Sequence, residues 1–232
     1  MTPEEFATLA RLTEQQKQQF ALYFELLIDW NSRMNLTALT SESDVYLKHF
    51  YDSLMPVALG ALKNEPLALL DIGAGAGFPS LPMKIVCPEL KITIIDSLQK
   101  RINFLSALTE ALGLAGVTLI HGRAEELGRQ ADFRGQFDFV TARAVARLNV
   151  LSELTVPFLK KNGQLLSLKA SQFDVELSEA QHAIATLGAR FDHALDYALP
   201  DGSARHIAVI EKTKETPKKY PRNAGQIKKN PL

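Results

Sequence analysis

The chain has 232 residues, 46% apolar and 22% charged, which is the balance of one globular domain and excludes a disordered, collagenous or coiled-coil chain. Apolar runs such as Leu67–Leu70 fall far short of the roughly 20 residues of a membrane span. The acidic start Met1–Glu5 has no signal-peptide pattern, and the single cysteine, Cys87, excludes a disulfide framework or a multi-cysteine zinc site, so a cytoplasmic protein is expected, with no membrane and no metal.

The first sixty residues read as helices. Thr2, Pro3 and Glu5 form a capping box with proline at the first helical position. Thr13 and Gln16 repeat that signature, and Phe20, Tyr23, Phe24, Leu27 and Met34 then follow at helical spacing. A third helix is expected from Ser41 through Phe50, broken near Pro56. The character changes at Leu67, where Leu67–Gly73 reads as a buried strand of a parallel sheet. Further strands are predicted at Lys91–Asp96, Val117–Ile120, Phe137–Thr141 and Gln164–Leu168. Helices are predicted at Gln99–Leu112, Leu148–Lys161 (stopped by Gly163) and Asp174–Leu187. Phe191–Leu199 and Arg205–Glu211 flank the turn Pro200-Asp201-Gly202 and form an antiparallel hairpin. Strands alternating with helices make a doubly wound α/β sheet. The domain reading is a helical extension over 1–62, an α/β domain over 63–213 and a basic tail over 214–232.

Net charge is zero, yet it is unevenly placed. From Lys212 onward there are seven basic residues and one acid, Glu215, so the tail carries +6 and the body −6. A basic tail on an acidic body suggests a polyanionic partner; the alternative is a solvated, frayed terminus.

The first strand runs into Asp71-Ile72-Gly73-Ala74-Gly75-Ala76-Gly77-Phe78-Pro79. Glycines let the chain turn tightly and let a ligand approach the backbone. A helix should start near Phe78–Pro79, with its N–H groups facing the crevice. Asp96 closes the second strand, 19 residues past Gly77, where such folds hold ribose hydroxyls. The order Gly-x-Gly-x-Gly departs from the dinucleotide fingerprint, with Phe78 where the third glycine would stand. No Gly-Lys-Ser/Thr is present for a triphosphate. S-adenosylmethionine fits better, having an adenosine, no phosphate and a zwitterionic methionine end. A nicotinamide oxidoreductase stays open, as does a glycine turn serving only packing.

The sequence resembles the RsmG (GidB) family of bacterial small-subunit rRNA methyltransferases over nearly its whole length. The resemblance rests on Trp30-Asn31 with Asn35-Leu36-Thr37, on His49–Leu54, Asp71–Pro79, Asp96-Ser97 with Lys100-Arg101, Arg123–Glu126, Arg143-Ala144, and Lys219–Gly225. Ser80 and Ile227 depart from the family pattern. The resemblance implies a class I, Rossmann-like methyltransferase fold: a doubly wound, mostly parallel seven-stranded sheet with a C-terminal antiparallel hairpin. It implies methyl transfer from S-adenosylmethionine to N7 of a guanine in 16S rRNA, position 527 in the 530 loop, with rRNA or the small subunit as partner; a monomer is expected. Family cofactor contacts fall on Gly73, Phe78, Ala124, Glu125 and Arg143, joining Asp71, Gly75, Gly77 and Asp96 from the loop reading.

Other residues have two readings each. Glu125 either borders the adenine or is a helix N-terminal acid favoured by the dipole. Arg143 and Arg147 follow the fourth strand, where the methyl acceptor approaches. An arginine bonding guanine O6 and N7 would cover the reacting nitrogen, so Arg143 is expected to hold the cofactor carboxylate and Arg147 an RNA phosphate, unless Arg147 is a solvated helix start. Lys218, Lys219 and Arg222 are expected to meet RNA. His49 and Asp52 are either an acid/base pair or a buried histidine satisfied by its carboxylate neighbour, the reading favoured here. Asn31, Asn35 and Thr37 mark a helix end or the rim of the site, and Cys87 is core. No residue is assigned as a catalytic base. A noncatalytic rRNA-binding factor is the remaining alternative.

Overall fold

Two capping boxes open the chain. In the computed structural model, which describes all 232 residues, the Thr2 hydroxyl accepts from the Glu5 amide and the Glu5 carboxylate accepts from the Thr2 amide, starting α1 (Pro3–Leu9). Thr13 and Gln16 start α2 (Glu14–Met34) in the same way. That helix ends at Asn35, whose φ of 49° is a left-handed cap. The third helix begins at Ser41 as expected, but it is three pieces. α3 (Glu42–Asp44) passes through a π-helical stretch, Val45–Tyr51, into α4 (Asp52–Ala58). Pro56 lies inside α4 and does not break it. The one N–H it lacks is outweighed by burial of Leu54, Met55 and Pro56 itself.

The α/β unit then runs β1 (Ala68–Ile72), α5 (Ser80–Val86), β2 (Lys91–Asp96), α6 (Gln99–Ala111), β3 (Val117–His121), α7 (Ala124–Leu127), β4 (Phe137–Arg143), α8 (Leu148–Thr155), β5 (Leu159–Lys169), α9 (Phe173–Thr186), β6 (Ala189–Ala198) and β7 (Ala204–Lys212). The seven strands are ordered β3-β2-β1-β4-β5-β7-β6. The first five are parallel, and β7 pairs antiparallel with both β5 and β6. The fold class and the terminal hairpin are as read from the sequence. One helix is not. The segment expected to be helical to Lys161 leaves the helix at Thr155, passes through a 3-10 turn at Val156–Phe158 and enters β5 at Leu159. Pro157 supplies the cause, having no N–H to continue the ladder. Gly163 is no stop. It lies within β5, where a Cβ would meet the carbonyl oxygens of Asp138 at 2.9 Å and Phe137 at 3.0 Å.

Alternate residues of the strands feed two cores. Leu69, Ile92, Ile94, Leu166 and Val209 face the N-terminal helices, packing with Phe6, Phe20, Tyr23 and Phe50. Leu70, Ile72, Val140, Leu165 and Ile210 face α8, α9 and Tyr220 of the tail. The tail is therefore not a frayed terminus. Arg134 donates to the carbonyls of Thr216 and Tyr220, each at 2.7 Å, and Arg129 donates to that of Pro221 at 2.8 Å. A last helix, α10 (Ala224–Lys229), buries Ile227.

Candidate active site

The crevice lies where the sheet order reverses, at the carboxyl ends of β1 and β4, the usual ligand position in an open α/β sheet. It is a cleft of about 380 Å³. Gly73, Gly75, Phe78, Asp96 and Arg143 line it, with Thr37, His49, Arg101 and Val145. Gly75 has φ +60°, and a Cβ there would meet nothing within 4 Å, so its backbone is open to a ligand. Gly73 has φ +69°, and a Cβ there would strike Val145 at 2.9 Å. The first glycine thus admits Val145, and the second admits the ligand. Gly77 does neither. Its Cβ position is filled by the Tyr23 hydroxyl at 2.6 Å and Leu81 at 2.7 Å, so its missing side chain makes room for packing.

Asp96 is buried at the end of β2. Its Oδ2 accepts from the Gly75 amide and from Arg101 Nη1, each at 3.3 Å, and its Oδ1 accepts from the Leu98 amide at 2.9 Å. Asp71 is wholly buried beneath the loop. Oδ2 accepts from the Ser80 amide at 3.1 Å, and Oδ1 has no partner. Burial pushes its pKa up to about 7, against the opposing pull of Ser80 and Arg143. Asp71 shapes the loop from below and does not line the cleft.

Arg143, expected to hold the cofactor carboxylate, lines the cleft and is also tied to the protein behind it. Its Nη1 donates to Asp52 Oδ2 at 2.8 Å and to the Lys48 carbonyl at 3.2 Å, and Nη2 lies 3.2 Å from His49 Nδ1. The guanidinium sits over the Phe78 ring, 5.1 Å from its centroid. Phe78 also stacks with His49 at 4.5 Å and with Tyr23 at 5.4 Å. Asp52 Oδ1 accepts from the Tyr197 hydroxyl at 2.8 Å. The favoured pairing of His49 with Asp52 is therefore overturned. The histidine bonds Thr37 through Nε2 at 2.8 Å, while Asp52 serves Arg143 and Tyr197. Burial, then the Arg143 charge, drive the His49 pKa down to about 3.

The remaining candidates are placed as follows. Ala124 and Glu125 open α7 beyond β3, outside the residues lining the cleft, and Glu125 accepts from Arg123 Nε at 2.5 Å. Arg147 pairs with Glu179 at 2.6 Å. Arg222 is not free for RNA: it donates to the buried Glu153 through Nε and Nη2, the latter at 2.6 Å. Lys218 and Lys219 are exposed. Asn31 and Asn35 form the helix end, the Asn31 carboxamide accepting from the Thr37 amide, and Thr37 reaches the rim. Cys87 is core. Tyr197 and Arg205, which the sequence did not mark, join the site from the hairpin. They face each other in register across β6 and β7.

The residues present suit S-adenosylmethionine: a backbone cradle that a Cβ at Gly75 would fill, and a carboxylate facing the same cleft from the next strand. Fold and crevice together define a class I, S-adenosylmethionine-dependent methyltransferase. Solved structures agree on the fold. A SAM-dependent methyltransferase from Aquifex aeolicus matches 77% of this chain and 97% of its own at TM-score 0.55 and 18% identity. TrmN from Thermus thermophilus matches 72% of this chain and 53% of its own at 0.53 and 19%. The family model for GidB, rRNA small subunit methyltransferase G, matches residues 16–201. Ribosomal RNA small subunit methyltransferase G of Lactococcus lactis subsp. lactis is 63% identical over 237 residues, and that of Streptococcus sanguinis 59%, each covering both chains in full. The chain belongs to the rRNA small subunit methyltransferase G (GidB) family. The oxidoreductase and noncatalytic readings give way to that membership.

Proposed function

We infer that this chain transfers a methyl group from S-adenosylmethionine to N7 of a guanine in 16S rRNA, at position 527 of the 530 loop. The observation that carries the reading is the open Gly75 cradle facing Asp96, in a chain that matches this family from end to end. When bound, S-adenosylmethionine supplies an electrophilic methyl group on a sulfonium. The Gly73–Gly77 turn and Asp96 hold the adenosine side, and the Phe78–Arg143 stack backs the cleft. The chain's work is alignment and exclusion of water, which is worth several kcal/mol.

No residue is required as a base. Guanine N7 carries an in-plane lone pair and no proton to remove. The two side chains nearest to an acid/base pair are both occupied. His49 stays neutral far below neutrality and is fixed by Thr37 and Arg143. Asp52 is bonded to Arg143 and Tyr197.

The test is to map N7-methylguanine across small-subunit rRNA with and without the protein. One guanine in the 530 loop should lose its modification without the protein and regain it on adding the protein with S-adenosylmethionine. An unchanged map would sink the reading.

A further inference from the structure

A second cleft, of about 390 Å³, opens at the carboxyl ends of β4 and β5 against the first turn of α9. It shares Arg143, Ala144 and Val145 with the cofactor cleft, so a single loop partitions the two. Its charged lining is Arg143, Arg147, Lys169 and Arg205 against Asp52 and Glu176. The excess of cations suits a base that arrives with its phosphate. The size falls in the ~300–1,000 Å³ range of small-molecule sites.

Most of these charges are spoken for. Asp52 uses Oδ2 on Arg143 and Oδ1 on Tyr197. Glu176 is different. Its Oε2 accepts from Lys169 Nζ at 2.7 Å and from the Leu148 amide at 2.9 Å. Lys169 in turn donates to the Ala146 carbonyl at 3.0 Å, which ties the carboxylate to the partition loop. Oε1 bonds nothing in the protein and is not sealed from solvent. One oxygen is anchored, and the other is left for a ligand.

We propose that Glu176 reads the acceptor guanine, its Oε1 accepting from N1–H and the N2 amine. The proposal rests on the guanine-N7 reaction inferred above and adds the group that selects the base. Guanine presents N1–H and N2–H₂ side by side on the edge away from N7. A carboxylate that takes this edge leaves N7 uncovered. Adenine presents an acceptor at N1, which a carboxylate repels. Recognition through O6 and N7, the common arginine mode, would instead cover the reacting nitrogen. Lys169 acts as the positioning residue that holds Glu176 in place.

The test is methylation of the target RNA with guanosine or inosine, which lacks the N2 amine, at the modified position. Wild type should methylate the inosine form about 10-fold less efficiently or worse in kcat/KM. In Glu176→Gln the amide oxygen must face the Lys169 and Leu148 donors. That turns the NH₂ toward the base, donor against donor. Its kcat/KM on guanosine should fall about 10- to 100-fold, the guanosine-to-inosine ratio should collapse toward one, and S-adenosylmethionine affinity should stay unchanged. Wild type treating guanosine and inosine alike overturns the role of Glu176, and does so whether or not the variant folds. A Gln variant that keeps the wild-type ratio overturns it too. Wild type that methylates no guanine overturns the reaction, and this proposal with it.

Discussion

His49, in the wall of the cofactor cleft, and Asp71, beneath its loop, are pushed in opposite directions, and the consequence is a compensation in pH. The His49 pKa is depressed to about 3 in the folded chain. An unfolded histidine takes up its proton near pH 6.5, so this group costs stability as pH falls from 6.5 toward 3. The Asp71 pKa is raised to about 7. The folded chain keeps a proton that an unfolded aspartate gives up near pH 4, so this group costs stability as pH rises from 4 to 7. Between pH 4 and 6.5 the two slopes, each about 1.4 kcal/mol per pH unit, oppose each other. Asp71→Asn should unmask the histidine: urea melts of the variant should lose about 2 kcal/mol more than wild type between pH 6.5 and 5. Equal pH dependence in the two proteins would refute the compensation. In the cleft itself, Gly75→Val should abolish S-adenosylmethionine binding, because a β-branched residue at φ +60° is strained and its side chain enters the cradle. Asp96→Asn keeps the shape and loses a charged acceptor, weakening binding by roughly 1.5–3 kcal/mol. Calorimetry showing wild-type affinity in both would place the cofactor elsewhere.

Among the elements, the join between α8 and β5 is where local reading and structure part. Gly163 looked like a helix stop and is a close-approach site, with backbone carbonyls on three sides of its missing Cβ. Gly163→Ala should cost about 1–3 kcal/mol, since backbone cannot rotate aside as a side chain can, and a urea midpoint unchanged from wild type would refute this. The same join shows what was legible. The strands, the hairpin, the Gly75 cradle and Asp96 follow from hydrophobic runs and from turn residues, all of them local signals. The network around Arg143 does not. Asp52 was read against His49 because they stand three apart, a spacing that shares a face in an α-helix. His49 and its neighbours run instead through a π-helical turn, which rotates that spacing. Asp52 then finds Arg143 91 positions away and Tyr197 145 positions away, partners that only the sheet order brings together. Gly77 shows the converse: a glycine whose missing Cβ makes room for Tyr23 and one whose missing Cβ faces a cleft look alike in a sequence.

Across the whole molecule, the basic C-terminal segment acts as a strap, and its Arg222 is spent on the body. Glu153 is buried in α8 with a side chain 1% exposed, and Arg222 covers it with an ion pair of 2.6 Å while its own backbone amide donates to Oε1 at 2.8 Å. Around that pair, Tyr220, Pro221 and Ile227 are buried, and Arg129 and Arg134 grip the strap's carbonyls. None of these residues lines either cleft. Removing one partner of a buried pair leaves an uncompensated charge and costs about 3–5 kcal/mol. Arg222→Ala should therefore lower unfolding free energy by about 3 kcal/mol, toward the low end because the arginine is partly exposed. The double variant Glu153→Met with Arg222→Met, which removes both charges, should recover most of that loss. S-adenosylmethionine affinity should be unchanged in both. An arginine used on a phosphate behaves oppositely: its loss removes about 0.7–0.9 from the log–log salt slope of RNA binding and leaves stability alone. For Arg222 the expected result is a stability loss with the slope unchanged, while the exposed Lys218 and Lys219 remain free to meet RNA. A flattened slope with wild-type stability would return Arg222 to the RNA interface.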